Sequence, residues 1–210
     1  MKRGKFIIFE GNEGTGKSTH IRRLSEYFDS ISHQHIVTRE PGGTEFGEKI
    51  RGILLDTKSQ LDPLTEALLF YSSRIMNYRN IILDALNKGE TVICDRFHFS
   101  TIVYQGMCEN CKEVIDLHNA LNDYFSEYIS LVVYLDADIK TCLARINRRK
   151  VSDKFEAQGE AFIAKVKESY DNLFSSNKKV FRVDTADNPD EVFSLIIEKV
   201  REVIDERTRD

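Results

Sequence analysis

The 210-residue sequence predicts an α/β fold, a three-layer α/β/α sandwich around a five-stranded parallel sheet. Three observations predict it. Five short apolar runs, KFIIFE (5–10), QHIVTR (34–39), TVICD (91–95), LVVYLD (131–136) and VFRVD (180–184), recur along the chain with helical patterns between them. Each run is continuous rather than alternating, as expected of strands covered on both faces in a parallel sheet. The first run enters a Gly-rich turn that opens into helix-compatible sequence, so the first unit is strand, turn, helix.

The elements follow in order. The first helix runs from Lys17 to about Asp29, and the second from Thr44 to Leu55 with Ile50, Ile53 and Leu54 on one face. A long helical pattern over 63–88 starts at Pro63, whose fixed φ suits a first helical position, and closes before Gly89. Residues 112–127 and 158–176 read as helices, and Asp138 is placed to cap a helix after the fourth strand. In the last helix, 189–206, Val192, Phe193, Ile196, Ile197, Val200, Val203 and Ile204 follow the 3.6-residue period. No repeat, low-complexity tract or linker interrupts the chain, so residues 1–210 are expected to form one unit.

Composition narrows the function classes. Hydrophobic residues make up 41% and charged residues 30%, which excludes disorder, and the mass of 24.3 kDa allows a sizeable core. A net charge of −4 disfavours a nucleic-acid partner. The acidity is concentrated, since residues 184–210 hold nine acidic and four basic residues. Four cysteines are too few for a disulfide scaffold, and no stretch has the length of a membrane span or the pattern of a signal peptide. A reducing, cytoplasmic setting is expected.

Gly11-Asn12-Glu13-Gly14-Thr15-Gly16-Lys17-Ser18 matches G-x-x-x-x-G-K-[ST] between a strand and a helix, the context that separates a phosphate-binding P-loop from a chance Gly-rich turn. Glycines let backbone N–H groups face phosphates, the helix N-terminus adds positive charge, Lys17 would reach the β- and γ-phosphates of a nucleotide, and Ser18, followed by Thr19, would offer a hydroxyl to Mg²⁺. A guanine-selective N-K-x-D is missing, the nearest string being Asn177-Lys178-Lys179-Val180. A small P-loop chain then points to small-molecule phosphoryl transfer. The segment 139–154 carries Lys140, Arg145, Arg148, Arg149, Lys150 and Lys154 against Asp153. Arg145, Arg148 and Arg149 share a helix face. They either complement a helix C-terminus or, beside a P-loop whose variable positions hold no basic residue, form a lid that neutralises the transferring phosphoryl group.

Three further strings stand in order after the P-loop: Thr38-Arg39-Glu40-Pro41-Gly42-Gly43-Thr44, Leu69-Phe70-Tyr71-Ser72-Ser73-Arg74 and Asp95-Arg96-Phe97-His98-Phe99-Ser100-Thr101-Ile102-Val103-Tyr104-Gln105-Gly106. With G-x-E-G-x-G-K-S, they make nearly the whole chain resemble the bacterial thymidylate kinases. The resemblance implies a P-loop nucleoside monophosphate kinase fold with a small lid, here about 145–157. It also implies transfer of the ATP γ-phosphate to dTMP, a Mg²⁺ requirement and a homodimer. It assigns Lys17, Glu13, Asp95, Arg96, Arg148 and Arg149 to catalysis. Arg39 and Arg96 are expected at the monophosphate, for which guanidinium forks are suited. Asp95 would hold Mg²⁺ through water, beside Ser18, or orient Arg96; it also reads simply as a structural ion pair with Arg96. Phe70, which without the resemblance reads as a core residue, would stack on the pyrimidine, with Arg74 and Thr101 at the base edge. Tyr104 and Tyr170 would lie by the sugar, Ser100 and Gln105 belong to the same acceptor string, and Glu13 would link donor and acceptor. On the donor side, Arg145 is expected at ATP, and the loop 185–189 with Asp187 would lie along adenine, although this loop also reads simply as a turn.

Two departures stand out. The lid has Asp153-Lys154-Phe155-Glu156 where many members have D-R-[IVF]-E, so residue 154 loses the guanidinium fork. Residues 107–112 form a C-x-x-C string in place of a Gly-rich loop, and no second ligand pair supports zinc. A kinase for another deoxynucleotide or deoxynucleoside, or a nucleotide-binding regulator, are the alternatives. The regulator would leave Arg39, Arg74 and Arg96 without a role.

Overall fold

The burial pattern of five strands fixes the architecture. In the computed structural model, which describes residues 3–148, 155, 159–186 and 188–205, all five pair in parallel in the order β2-β3-β1-β4-β5. They are β1 (Phe6–Glu10), β2 (His35–Arg39), β3 (Thr91–Asp95), β4 (Ile129–Asp136) and β5 (Val180–Asp184). On one sheet face Phe6, Ile8, Val92, Cys94, Val132 and Tyr134 pack with Tyr71, Tyr78, Phe97 and Phe125. On the other, Ile7, Phe9, Ile93, Leu131, Val133 and Leu135 meet Ile21, Leu24 and Phe28 of α1 (Lys17–Ser30) and Val192, Ile196 and Val200 of α9 (Pro189–Asp205). Alternate residues thus enter two different cores, which explains why the central strands read as unbroken apolar runs.

The remaining helices are α2 (Glu45–Leu55), α3 (Pro63–Asn77), α4 (Leu83–Asn87), α5 (His98–Thr101), α6 (Lys112–Ser126), α7 (Ile139–Asn147) and α8 (Glu160–Phe174). Local chemistry sets several starts. Asp62 accepts from the N–H groups of Leu64 and Thr65 ahead of Pro63, and the expected cap at Asp138 accepts from Thr141 N at 2.9 Å. A π-helical turn over Tyr78–Ile82 joins α3 to α4, making the continuous helical run expected over 63–88.

One stretch departs from the sequence reading, which assigns no element to 98–107. The chain there forms α5 and then a π-helix over Ile102–Met107, in which Cys108 N donates to Val103 O five residues back. Its residues HFSTIVYQG have a strand-like β-branched and aromatic content, and nearly all are buried, so no polar stripe marks a helix.

Every strand ends on a charged residue: Glu10, Arg39, Asp95, Asp136 and Asp184. Parallel pairing gathers these ends at one edge of the sheet, where open α/β sheets bind ligands.

Candidate functional site

The phosphate loop is shaped by close approach. Gly14 sits at φ +77°, and a Cβ there would lie 2.6 Å from the Cys142 carbonyl oxygen of α7, so only glycine fits. Gly16, at φ +90°, is the N-cap of α1. Lys17 is buried, and its Nζ donates to Gly11 O at 2.9 Å and Asn12 O at 2.7 Å. Burial, helped by the Arg96 charge, pulls its ammonium down to about 8. Asn12 braces the loop against α8 through Nδ2 to Ile163 O at 2.7 Å, and Thr15 Oγ1 donates to Asn12 O. Ser18 and Thr19 are exposed at the helix N-terminus. Arg145 donates to Gly14 O at 3.4 Å and to Thr185 O at 2.7 Å, which ties α7, the P-loop and the loop after β5 together.

Arg96 follows β3 directly and adopts φ +65°, a conformation uncommon outside glycine. Its Nη1 donates to Gly11 O at 3.0 Å, Ser100 Oγ at 3.1 Å and Tyr170 OH at 3.3 Å, its Nη2 pairs with Glu13, and its guanidinium lies 5.2 Å from the Tyr104 ring centroid. Tyr104 OH also donates to Glu13 at 3.4 Å. Behind this group lies Glu10, fully buried, accepting from Phe97 N at 2.8 Å, Ser100 Oγ at 2.7 Å and Tyr170 OH at 2.8 Å. Burial raises the Glu10 carboxyl, while the Arg96 charge and these hydrogen bonds pull it back.

The third cluster centres on Arg74 of α3, which is 1% exposed. Its Nε pairs with Glu40 at 2.6 Å, and its Nη2 donates to Thr101 Oγ1 at 3.0 Å and Phe97 O at 3.2 Å. Its Nη1 is buried with no acceptor. Burial lifts Glu40 to about 6 against the pull of Arg74. Gln105 donates to Glu66 at 3.2 Å. Arg39 is half exposed and held by Glu48 at 2.9 Å, and the Arg39 contact depresses the Glu48 carboxyl.

These clusters face one cavity of about 250 Å³. Of the expected site residues it brings together Glu13, Gly14, Gly16, Lys17 and Ser18 on the loop side, with Asp95 and Arg96 at the end of β3. Arg39, Phe70, Arg74, Ser100, Thr101, Tyr104 and Gln105 complete the opposite wall. Gly11, Asn12 and Thr15 support the loop from beneath, and Tyr170 acts from behind Arg96. Arg148 forms the C-cap of α7 and does not line the cavity. Arg149 and Asp187 lie outside the described residues, as do Lys150, Asp153, Lys154 and Glu156.

Sequence reasoning missed Glu10, Glu40, Arg51, Leu55 and Phe155. Glu10 had a signal, a lone acid ending an apolar strand, and Glu40 sits inside the TREPGGT string itself. Phe155 lines the cavity and meets Phe70 at 6.3 Å and Tyr104 at 5.6 Å between centroids, closing an aromatic wall. Arg51 of α2 lines it too and donates to Pro41 O at 2.9 Å. The C-x-x-C string is not a disulfide, since Cys108 is a buried thiol 3.7 Å from Ser169 Oγ and Cys111 faces Glu113. Among the described residues no group of three His, Cys, Asp or Glu could hold a metal, and no helix is long and apolar enough to cross a membrane.

Comparison with known proteins gives a consistent picture. The family model described as thymidylate kinase matches residues 9–196. A thymidylate kinase of Caldicellulosiruptor saccharolyticus is 35% identical over 206 residues, covering 97% of this chain and 97% of the relative. One from Francisella philomiragia is 38% identical over 201 residues, covering 91% and 97%. One from Gluconobacter oxydans is 38% identical over 204 residues, covering 95% of each.

Proposed function

The chain belongs to the thymidylate kinase family, and from that premise we propose how its residues divide the transfer of the ATP γ-phosphate to dTMP, giving dTDP and ADP. One observation carries the division of labour: a single cavity joins the P-loop cation Lys17 to four guanidinium groups, those of Arg39, Arg51, Arg74 and Arg96, and a flat aromatic wall.

On the donor side Lys17 leaves the carbonyls of Gly11 and Asn12 for the ATP phosphates, which are stronger acceptors. Ser18 and Asp95 fit Mg²⁺, a hard cation that takes one or two protein oxygens and fills its shell with phosphates and water. Bound there, Mg²⁺ supplies charge neutralisation on the phosphate oxygens. The acceptor phosphate is already ionised near neutral pH, so the chain contributes position and charge rather than a strong base. Arg96 and Arg39 hold that phosphate, with Arg51 a further cation beside it. Glu13 bridges donor and acceptor through Arg96.

Base choice follows from Arg74. Glu40, Phe97 O and Thr101 take its Nε and Nη2, which leaves the buried Nη1 N–H in need of an acceptor. The 4-carbonyl of thymine supplies one, whereas the 4-amino group of cytosine would set donor against donor in a dry site. Phe70 stacks on the ring and Tyr104 covers the sugar. The segment 145–157 serves as the lid, with Arg148 and Arg149 on the transferring group. Arg145 and Asp187 flank adenine. The contacts of Phe155 with Phe70 and Tyr104 support a lid that reaches the acceptor. A cytoplasmic homodimer completes the reading, supported by the apolar side chains Phe46, Ile53, Leu68 and Met76 left exposed on α2 and α3.

The test is ADP release with dTMP, dUMP, dCMP, dGMP and thymidine as acceptors. The expected result is preference for dTMP, with dCMP rejected most strongly among the pyrimidine nucleotides. A clear preference for any other acceptor overturns the assignment.

A further inference from the structure

We infer that Glu10 is a positioning residue for phosphoryl transfer: from behind the site it locks the β3–α5 corner and orients two hydroxyls so that Arg96 presents its guanidinium to the acceptor phosphate. The inference rests on the phosphate role given to Arg96 above.

Glu10 does not line the cavity and touches neither substrate site. Its carboxylate instead accepts from three donors that surround Arg96 in sequence and in space. One oxygen takes the N–H of Phe97, the residue immediately after Arg96, at 2.8 Å. That bond fixes the peptide that follows the left-handed Arg96 backbone, a conformation the surrounding structure must hold against its intrinsic preference. The other oxygen takes Ser100 Oγ at 2.7 Å and Tyr170 OH at 2.8 Å. Both hydroxyls also lie against Arg96 Nη1, at 3.1 and 3.3 Å. A hydroxyl has one hydrogen and a carboxylate can only accept. With the hydrogens drawn to Glu10, the lone pairs face the guanidinium, and the direction of each bond is set by the acid behind it. Ser100 comes from α5 and Tyr170 from α8, so two helices and the β3–α5 corner converge on this one buried carboxylate.

Glutamine has the same shape but cannot do this. With its oxygen on Phe97 N–H, its amide hydrogens meet the two hydroxyls and turn their lone pairs away from Arg96. Flipped, it sets N–H against N–H at Phe97. Either arrangement frees the Arg96 corner while leaving the core volume unchanged.

The test compares dTMP with thymidine, which lacks the 5′-phosphate, by calorimetric titration of the intact enzyme. Glu10→Gln is expected to weaken dTMP roughly tenfold to a hundredfold, the range for a hydrogen bond involving a charged group, with thymidine held within about twofold. In an Arg96→Ala background, E10Q is expected to add no further loss, because its effect runs through Arg96. Equal weakening of both ligands, additive losses in the double variant, or unchanged dTMP affinity in E10Q overturns the inference. R96A that keeps the normal preference for dTMP over thymidine overturns the phosphate reading beneath it. If E10Q does not fold, Glu10→Asp, which keeps the charge but withdraws it by one methylene, is put through the same comparison. Loss of fold in both variants makes Glu10 a core group and also overturns the role.

Discussion

Arg74→Met is the most informative single perturbation, because the buried Arg74–Glu40 pair couples the proposed acceptor site to the stability of the fold. The two side chains are 1% and 2% exposed and lie 2.6 Å apart. Methionine fills much of the arginine volume but leaves the buried Glu40 carboxylate with only Asn77 Nδ2, at 3.4 Å, on one oxygen. Breaking one partner of a buried pair costs about 3–5 kcal/mol. For 210 residues the expected unfolding entropy makes 1 kcal/mol worth about 2.3 °C, so the melting temperature should fall by roughly 7–11 °C. The pH dependence gives a second signature. Burial already holds Glu40 at about 6, above its ordinary 4.5, even with Arg74 beside it. Between those values the folded chain binds a proton that the unfolded chain has released, so stability from this group falls as pH rises through about 6 and then levels off. Without Arg74 the carboxyl rises further and the decline continues to higher pH. The gap between wild type and R74M should therefore widen above pH 6, by up to about 1.4 kcal/mol per pH unit. Urea and thermal melts from pH 5 to 8 read both effects. The double variant Glu40→Gln with Arg74→Met removes the stranded charge and should recover most of the loss with a flat profile. A double variant no more stable than R74M, or a single variant within about 1 kcal/mol of wild type at all pH values, would refute the reasoning.

Three further predictions concern the substrates. The Lys17 ammonium, held near 8 by burial, must be charged to meet ATP, so the dissociation constant of ATP should be flat below pH 7.5 and about tenfold weaker at pH 9. Titration of ATP binding across this range checks it, and constant affinity to pH 9 contradicts it. Lys17→Ala should abolish turnover while circular dichroism shows a folded protein. Phe70 is only partly buried, so Phe70→Ala should leave the fold intact and raise KM for dTMP about 5- to 150-fold, the equivalent of roughly 1–3 kcal/mol of stacking, with KM for ATP unchanged. An unchanged KM for dTMP would return Phe70 to the core.

Much of this molecule is legible in one dimension. The central strands enter cores on both faces, so their residues are apolar without a break and each strand shows itself locally. The P-loop is legible because its chemistry is consecutive: backbone turn, helix N-terminus, lysine and hydroxyl are neighbours in the chain. Caps such as Asp138 are local for the same reason. The stretch 98–107 is not legible, since a helix buried on all sides carries no polar face and its β-branched content points the other way. Arg145 reads from sequence as a lid cation, yet it is anchored to Gly14 and Thr185.

What the sequence by itself determined, then, is the fold class, the phosphate loop and, through strings shared with a family, the reaction. Tertiary structure alone decided how the candidate site is wired. Arg74 meets Glu40 34 residues away, Arg96 meets Glu13 83 residues away, and Tyr170 meets Glu10 160 residues away. The physical reason is that a strand or a phosphate loop is specified by neighbours along the chain. The partner of a buried charge is specified by whichever helix packs beside it, and no periodicity in the sequence records that choice.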